Sequence, residues 1–291
     1  MLDARAALAR GAALLLAVGV EDARLVAELL LCHVLGLSRA QLHAHPDRVL
    51  TEAESRRWQA LLRRAQRHEP LAYIRHRREF YGRDFYVDRR VLIPRPETEV
   101  LVEQAIAWAR AFAASNGRPP VIADVGTGSG AIAVSLAAEL PAVHVYATDA
   151  SAGALRVARR NARCHGVADR VVCLHGDLLE ALPEPVDLIV ANLPYVSAAE
   201  MAALPPHIAR YEPSSALAGG PDGLDAYRRL LAQVPAKLRP GGALFLEIGA
   251  AQGEAVAALA RALPGATVAI LPDLAGLPRV AYVQMKTVLC G

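Results

Sequence analysis

The sequence predicts an α/β fold: a mostly parallel, helix-covered sheet of seven strands, preceded by a small helical bundle and a β-hairpin connector. Three observations lead to it. Between about residues 97 and 291, short apolar runs alternate with helix-length segments, as in repeated βα units. The first of these runs, Val121–Val125, opens directly into Gly126-Thr127-Gly128-Ser129-Gly130 and then an apolar helix. Residues 1–76 show helical signals alone. The expected organisation is a helical domain at 1–76, a connector at 77–96 and an α/β domain at 97–291.

The bulk numbers bound the function classes. Of 291 residues, 54% are hydrophobic and 21% charged, so a sizeable core is available and wholesale disorder is not expected. A net charge of +3 is too small to argue for nucleic acid by itself. Residues 1–90 hold sixteen Arg and eleven acids, net +5, which leaves −2 for the remainder. A basic front could face an acidic partner or RNA. With only Lys237 and Lys286 as lysines, it reads instead as an Arg-rich solvated surface. Cys32, Cys164, Cys173 and Cys290 are far apart, with no C-x-x-C pair. That argues against zinc and against a disulfide framework, and for buried free thiols in a reducing compartment. No run reaches the ~18 apolar residues of a membrane span. The basic n-region of a signal peptide is missing ahead of Gly11–Val20. A cytoplasmic protein is expected.

Taken in order, Ala6–Leu16 is apolar and built of helix-forming residues. Asp22 can cap Ala23–Leu35, with Gly36 as its stop. Ser38 can cap Arg39–Ala44, which Pro46 ends. Thr51-Glu52-Ala53-Glu54 has capping-box spacing before a helix to about Arg67. On that helix Arg56, Arg63 and Arg67 fall near one face, with Trp58, Leu61 and Leu62 nearer the other. Pro70 breaks the pattern. The histidines here (His33, His43, His45, His68 and His76) lack metal spacing. A bundle with no catalytic constellation reads as a recognition module or a stabilising cap.

The connector begins with Arg78–Val87, where aromatics alternate around Gly82 as in a β-hairpin. Pro94 and Pro96 then hold Arg95 in extended backbone. Thr98 is placed to cap a helix from about Glu99. Arg95 and Glu97 therefore sit on a stiff segment between the expected domains.

In the α/β domain, the glycines of Gly126–Gly130 allow a tight turn and close approach of a ligand to a helix N-terminus. The spacing is G-x-G-x-G, a weak signal alone. The next strand, His144–Thr148, ends in Asp149, about twenty residues past the loop, where a ribose-binding carboxylate is expected. Ser151 caps a helix to about Cys164. Val171–Leu174 leads to Gly176-Asp177. The fully apolar end of Val186–Val190 leads to Asn192-Leu193-Pro194-Tyr195. Ala243–Ile248 follows the turn Pro240-Gly241-Gly242, and Ala266–Ile270 and Arg279–Val288 close the sheet. Gly loop, two acids and a polar strand end thus fall on one edge, where α/β sheets bind ligands. They fit a nucleoside-containing cofactor, without separating S-adenosyl-L-methionine from NAD. Against NAD, no second nucleotide-binding half and no acid/base pair for hydride transfer is visible.

Asp124–Gly130 resembles motif I of class I (Rossmann-like) S-adenosyl-L-methionine-dependent methyltransferases. Asn192-Leu193-Pro194-Tyr195 is similar to their Asn/Asp-Pro-Pro-Tyr motif IV, found in enzymes that methylate planar amide or amino nitrogens. The wider match is to the HemK/PrmC family, the N5-glutamine methyltransferases of peptide chain release factors. It rests on Glu69–Ile74, Arg78-Glu79-Phe80, Leu92–Glu99, Tyr211-Glu212-Pro213, Gly219–Asp225 and Leu246–Gly249. Ile93–Glu99 is the most specific piece. The resemblance covers about residue 69 to the end.

The resemblance implies methyl transfer to the side-chain amide of the glutamine in a release factor's Gly-Gly-Gln loop, with the helical domain helping to bind that protein. Direct nucleic-acid or membrane binding is not implied. Gly126, Thr127, Gly128, Ser129, Gly130, Asp149, Asp177, Leu178 and Asn192 would hold the cofactor, with Asp149 on the ribose and Asp177 and Leu178 by the adenine. Asn192, Leu193, Pro194 and Tyr195 would carry catalysis and, with Arg95 and Glu97, substrate binding. No metal is implied. Leu193 stands where the family often has Pro. The chemistry tolerates this. An amide nitrogen is a weak nucleophile that must be held in line. Acceptors on its N–H groups orient it and stabilise positive charge building there. Asn192 Oδ1 and the backbone carbonyl of residue 193 can be those acceptors, and Leu supplies the latter as well as Pro. Of the four, this is the position whose side chain can vary without losing the chemistry. Tyr195 offers a flat face to the amide plane. An adenine-N6 methyltransferase on rRNA or DNA, with Arg56–Arg67 and Arg75–Arg78 as its track, is the first rival. A glutamine methyltransferase of a ribosomal protein is the second, and a non-catalytic binding module the third.

Overall fold

The structure, a computed structural model, describes residues 2–286. The chain forms two compact units. One holds the residues up to Arg77 together with Pro205–Tyr211. The other holds Arg78–Leu204 and the chain from Glu212 onward.

The first unit is helical: α1 (Ala4–Leu16), α2 (Ala23–Leu35), α3 (Arg39–Ala44), α4 (Glu52–Ala65) and α5 (Leu71–Arg75). Its ends follow local chemistry. Asp3 accepts the Ala6 N–H, and Ser38 and Thr51 form capping boxes with Gln41 and Glu54. Gly36 ends α2 at φ 65°, which a Cβ would strain. Asp22 departs from expectation: it sits at φ 50° and makes no side-chain cap bond. Trp58, Leu61 and Leu62 are buried with Leu30, Leu31 and Leu15, while Arg56, Arg57 and Arg63 of α4 are exposed and half-buried Arg64 pairs with buried Glu69 at 2.8 Å. Glu28 is buried in this unit and accepts from Arg39 Nε at 2.6 Å and pairs with His43 at 2.9 Å. The late segment joins here, its Tyr211 hydroxyl donating to the Arg67 carbonyl at 2.8 Å.

The second unit opens with the hairpin β1 (Arg78–Phe80) and β2 (Arg83–Phe85). Its turn, Tyr81-Gly82, has φ of 50° and 68°, the two-residue turn whose twist matches its strands. Next come α6 (Thr98–Asn116), β3 (Val121–Val125), α7 (Ala131–Glu139), β4 (His144–Asp149), α8 (Ala152–Cys164), β5 (Val171–His175) and β6 (Val186–Ala191). They are followed by α9 (Ala198–Ala202), then α10 (Pro206–Tyr211), the late segment of the first unit. The chain closes with α11 (Asp225–Lys237), β7 (Leu238–Glu247), α12 (Gly253–Arg261), β8 (Ala266–Pro272) and β9 (Pro278–Met285). The sheet order is β5-β4-β3-β6-β7-β9-β8. Every pair from β5 to β7 is parallel, and β9 pairs antiparallel with both neighbours. β7 starts earlier than the sequence suggests, because the Pro240–Gly242 turn is absorbed as an irregularity opposite Val186/Leu188. The expected end of the last strand, at Val288, lies outside the described residues, as does Cys290.

Strand residues alternate between two cores. Ile122, Leu188, Val190 and Phe245 join α6 and α7 on one face; Ala123, Ile189, Leu244 and Leu246 join α11 and α12 on the other. β6 is therefore buried along its whole length, as a strand covered on both faces must be. Its one charge, Asp187, is satisfied at the amino end of the strand. It takes Arg118 at 2.7 and 2.8 Å, Arg239 at 2.9 Å and the Val121 N–H at 2.8 Å. The chain leaves β3 in opposite directions on the two sides, toward β4 and toward β6. That reversal opens a crevice at the carboxyl ends of those strands. Cys32 is buried, but Cys164 is exposed and Cys173 half-buried, so the expectation of uniformly buried thiols does not hold. No helix of the described residues is long and apolar enough to cross a membrane.

Candidate active site

The crevice is a cavity of about 570 Å³. Its floor is the turn after β3. Gly126, Gly128 and Gly130 stand at φ 72°, 55° and 80°, a left-handed series that side chains resist. The N–H groups of Gly126 and Thr127 both reach the Thr148 carbonyl at 2.9 Å, which clamps the turn to β4. Beneath it, fully buried Asp124 accepts from the Thr127 hydroxyl at 2.6 Å and the Ala133 N–H at 3.1 Å. Burial pushes this carboxyl up to about 7, against the pull of those two bonds. Asn161 braces the far side: its amide donates to the Ser129 and Tyr86 carbonyls and accepts the Tyr86 N–H. The hairpin exit and the glycine turn are thereby held by one side chain.

Asp149 faces the cavity at the end of β4. Each carboxylate oxygen holds one backbone N–H, Gly128 at 2.9 Å and Ser151 at 2.7 Å, and keeps a further acceptor site. Burial raises its pKa while these bonds pull it down. Asp177 and Leu178 also line the wall. Leu178 adopts φ 51° and is tied to β4 by the Thr148 hydroxyl, which donates to its carbonyl at 2.8 Å. Asp177 is ion-paired with Arg229 of α11.

The opposite wall is the end of β6. Asn192, Leu193 and Pro194 line the cavity. Asn192 Nδ2 donates to the Thr98 hydroxyl at 3.1 Å. Leu193 is only 2% exposed and belongs to the core, and a Cβ on Gly126 would lie 3.1 Å from its Cδ2. The side chain thus fills the space beneath the glycine turn, a packing role separate from the carbonyl on which the expected chemistry rests. Tyr195 is not part of the cavity wall. Its ring packs against the α11–α12 core, and its carbonyl accepts from Gln252 at 2.9 Å. Burial first, then the charge of Glu247, pushes its phenol up to about 12. Arg95 does line the cavity, yet its guanidinium is engaged by buried Glu212 at 2.6 Å, which also accepts the Ile93 N–H at 3.2 Å. Glu97 is exposed and outside the wall.

Three contributors were not singled out from the sequence. Thr98, read as a helix cap, is instead the first residue of α6, with its buried hydroxyl on Asn192. Glu212 and Glu247 stood only inside matched stretches. The signal for Glu247 was present: an acid ending an apolar strand on the ligand edge.

A floor of bare backbone in left-handed conformation, a carboxylate at the next strand end and a further strand-end turn fit a nucleoside carrying a ribose and a base. The comparisons agree. A model of the PrmC N-terminal domain matches residues 6–75, and one of the methyltransferase small domain matches residues 109–205. The release factor glutamine methyltransferase of Cereibacter sphaeroides is 48% identical over 272 residues, 93% of this chain and 94% of the relative. That of Moorella thermoacetica is 48% identical over 279 residues, 94% and 96% of the two chains. Among solved structures, the hMettl16 catalytic domain bound to the MAT2A 3′UTR hairpin 6 shares the fold. Its TM-score is 0.52 at 17% identity, covering 69% of this chain and 74% of that one. The chain is a methyltransferase that uses S-adenosyl-L-methionine. By identity sustained over nearly its whole length, it belongs to the family of release factor glutamine methyltransferases.

Proposed function

We propose that the chain methylates the side-chain amide nitrogen of the glutamine in a release factor's Gly-Gly-Gln loop. The observation that carries this is one cavity lined both by the glycine turn and by Asn192-Leu193-Pro194, in a chain whose relatives are named release factor glutamine methyltransferases. S-adenosyl-L-methionine supplies an electrophilic methyl on a sulfonium sulfur. Asp149 accepts from its ribose hydroxyls through the lone pairs left by Gly128 and Ser151. Leu178, held in place by Thr148, borders the base, with Asp177 and Arg229 beside it.

Asn192 Oδ1 and the Leu193 carbonyl accept the two N–H groups of the substrate amide. They fix the nitrogen's direction and share the positive charge it acquires as its bond to the methyl carbon forms and the carbon–sulfur bond breaks, with S-adenosyl-L-homocysteine as the leaving group and the nitrogen's proton passing to solvent. Pro194 keeps Leu193 extended, so that its carbonyl stays presented. Arg95, anchored by Glu212, lends positive charge to the cavity rim. Tyr195 supports the strand end, its carbonyl held by Gln252, and Arg95 on the cavity wall, with Glu97 nearby on the same stiff segment, serves the incoming peptide. The helical unit serves as the recognition module for the protein substrate.

The experiment is transfer from labelled S-adenosyl-L-methionine to purified release factor or to rRNA, with mass spectrometry of the Gly-Gly-Gln peptide. A gain of one methylene on that glutamine is expected. Label in RNA alone overturns the proposal.

A further inference from the structure

We propose that Glu247 is a positioning residue: acting through the Thr98 hydroxyl, it makes Asn192 turn its Oδ1, not its amino group, toward the cavity. This rests on the reading that Asn192 Oδ1 accepts from the substrate amide. It adds what determines that orientation.

Three elements distant in sequence bring the groups together: the first turn of α6, the end of β6 and the end of β7. The β6–β7 register pairs Ala191 with Leu246, which sets Asn192 and Glu247 side by side. Thr98 and Glu247 are 3% and 1% exposed. The Glu247 main-chain carbonyl is taken by the Tyr227 hydroxyl at 2.6 Å. Its carboxyl is left to the polar groups of Thr98 and Asn192, which pull its pKa down against burial, and its Oε2 has no partner among the described residues.

The polarity of this chain of bonds follows from donor counts. A carboxylate only accepts, and a threonine hydroxyl has a single proton. With Glu247 ionised, Thr98 gives that proton to Glu247, and its oxygen accepts from Asn192 Nδ2, the 3.1 Å bond observed. Asn192 Oδ1 is then on the other side. The two orientations of an asparagine amide have nearly the same shape, so packing alone does not select between them. The flipped form would set an amino group against the substrate's own amino group, donor against donor. Burial, with Glu97, pushes this carboxyl up to about 7 against the pull of Thr98, Arg279 and Asn192, so this polarity belongs to the form present above that pH.

Glu247 does not line the cavity, so it acts on turnover through Asn192 and not on the cofactor. The test uses the full chain with labelled S-adenosyl-L-methionine and purified release factor. Glu247→Gln and Thr98→Val are each expected to lower kcat by about tenfold or more, the scale of one buried hydrogen bond left unmade. KM for the release factor and calorimetric affinity for S-adenosyl-L-methionine should stay within about threefold, the bound set for an effect confined to turnover. Thr98→Ser, which keeps the hydroxyl, should recover most of the rate lost in Thr98→Val. The double variant should be no slower than Thr98→Val alone, because both changes break one relay. Should Glu247→Gln fail to fold, the Thr98 pair decides the matter. Wild-type kcat in Glu247→Gln, equal loss in Thr98→Ser and Thr98→Val, or two losses that multiply in the double variant would each overturn the relay. A wild-type chain that binds the cofactor but leaves the release factor unlabelled refutes instead the reading on which the relay rests.

Discussion

Two glycines of the same turn should fail in different ways when given a methyl group. At Gly130, φ is 80° and a Cβ would lie 3.1 Å from both Cα and Cβ of Ala158 in α8. Left-handed backbone costs alanine about 1–2 kcal/mol, and overpacking against a neighbouring backbone adds about 1–3 kcal/mol. Gly130→Ala should therefore destabilise the α/β unit by roughly 2–5 kcal/mol, a drop on the order of 5–15 °C for a domain of that size. At Gly128, φ is 55° and the nearest atom to a Cβ is the Gly126 carbonyl oxygen, at 3.9 Å. Only the backbone term applies, about 1–2 kcal/mol. The added methyl, however, stands in the cavity wall, where the same overpacking acts on the ligand and should weaken S-adenosyl-L-methionine binding by about tenfold or more. Thermal unfolding and calorimetric titration of both variants separate the two effects. Equal loss of stability in both, with cofactor affinity intact in Gly128→Ala, would refute the assignment of this turn as the cofactor floor.

Asn192→Ala should reduce kcat by about a hundredfold or more, by analogy with loss of one oriented donor at an oxyanion; near-normal single-turnover rates would sink the acceptor role. Asp124 and Glu247 are both pushed up to about 7 in the folded chain, from carboxyl values of 3.8 and 4.5. Each binds its proton more tightly folded than unfolded. Their contribution to stability is therefore full at pH below about 4 and is lost as pH rises through about 7. Relative to Glu247→Gln, the wild type should lose up to about 3 kcal/mol between those limits in urea titrations, and parallel pH curves would count against the buried acid. In the helical unit, Trp58 is 2% exposed, and Trp58→Ala should cost about 3–5 kcal/mol. Limited proteolysis that still spares residues 1–77 in that variant would contradict its place in the core.

What the sequence determined by itself was whatever depends on neighbours in the chain. The capping boxes at Ser38 and Thr51, the stop at Gly36 and the Tyr81-Gly82 turn rest on interactions within a few residues, and the glycines after β3 were legible by type even though Thr148, Asp149 and Asn161 hold their turn. Strand alternation with helices settled the parallel sheet, because each buried strand had to be covered on both faces. Tertiary structure decided the rest, since it depends on which distant groups meet. Thr98 was legible as a helix start, but its hydroxyl belongs to Asn192, 94 positions away. Arg95 was legible as a charge on a stiff segment, but only folding hands it to Glu212, 117 positions away. Leu193 was legible through its carbonyl, but only packing sets its side chain under the glycine turn, and Tyr195 was legible as a strand-end aromatic, but only packing sets its ring against the α11–α12 core. A buried polar group must find a partner, and no local pattern says which one. The strand ends thus named the edge where the chemistry lies; packing across that edge chose which side chains face the cavity and which hold them there.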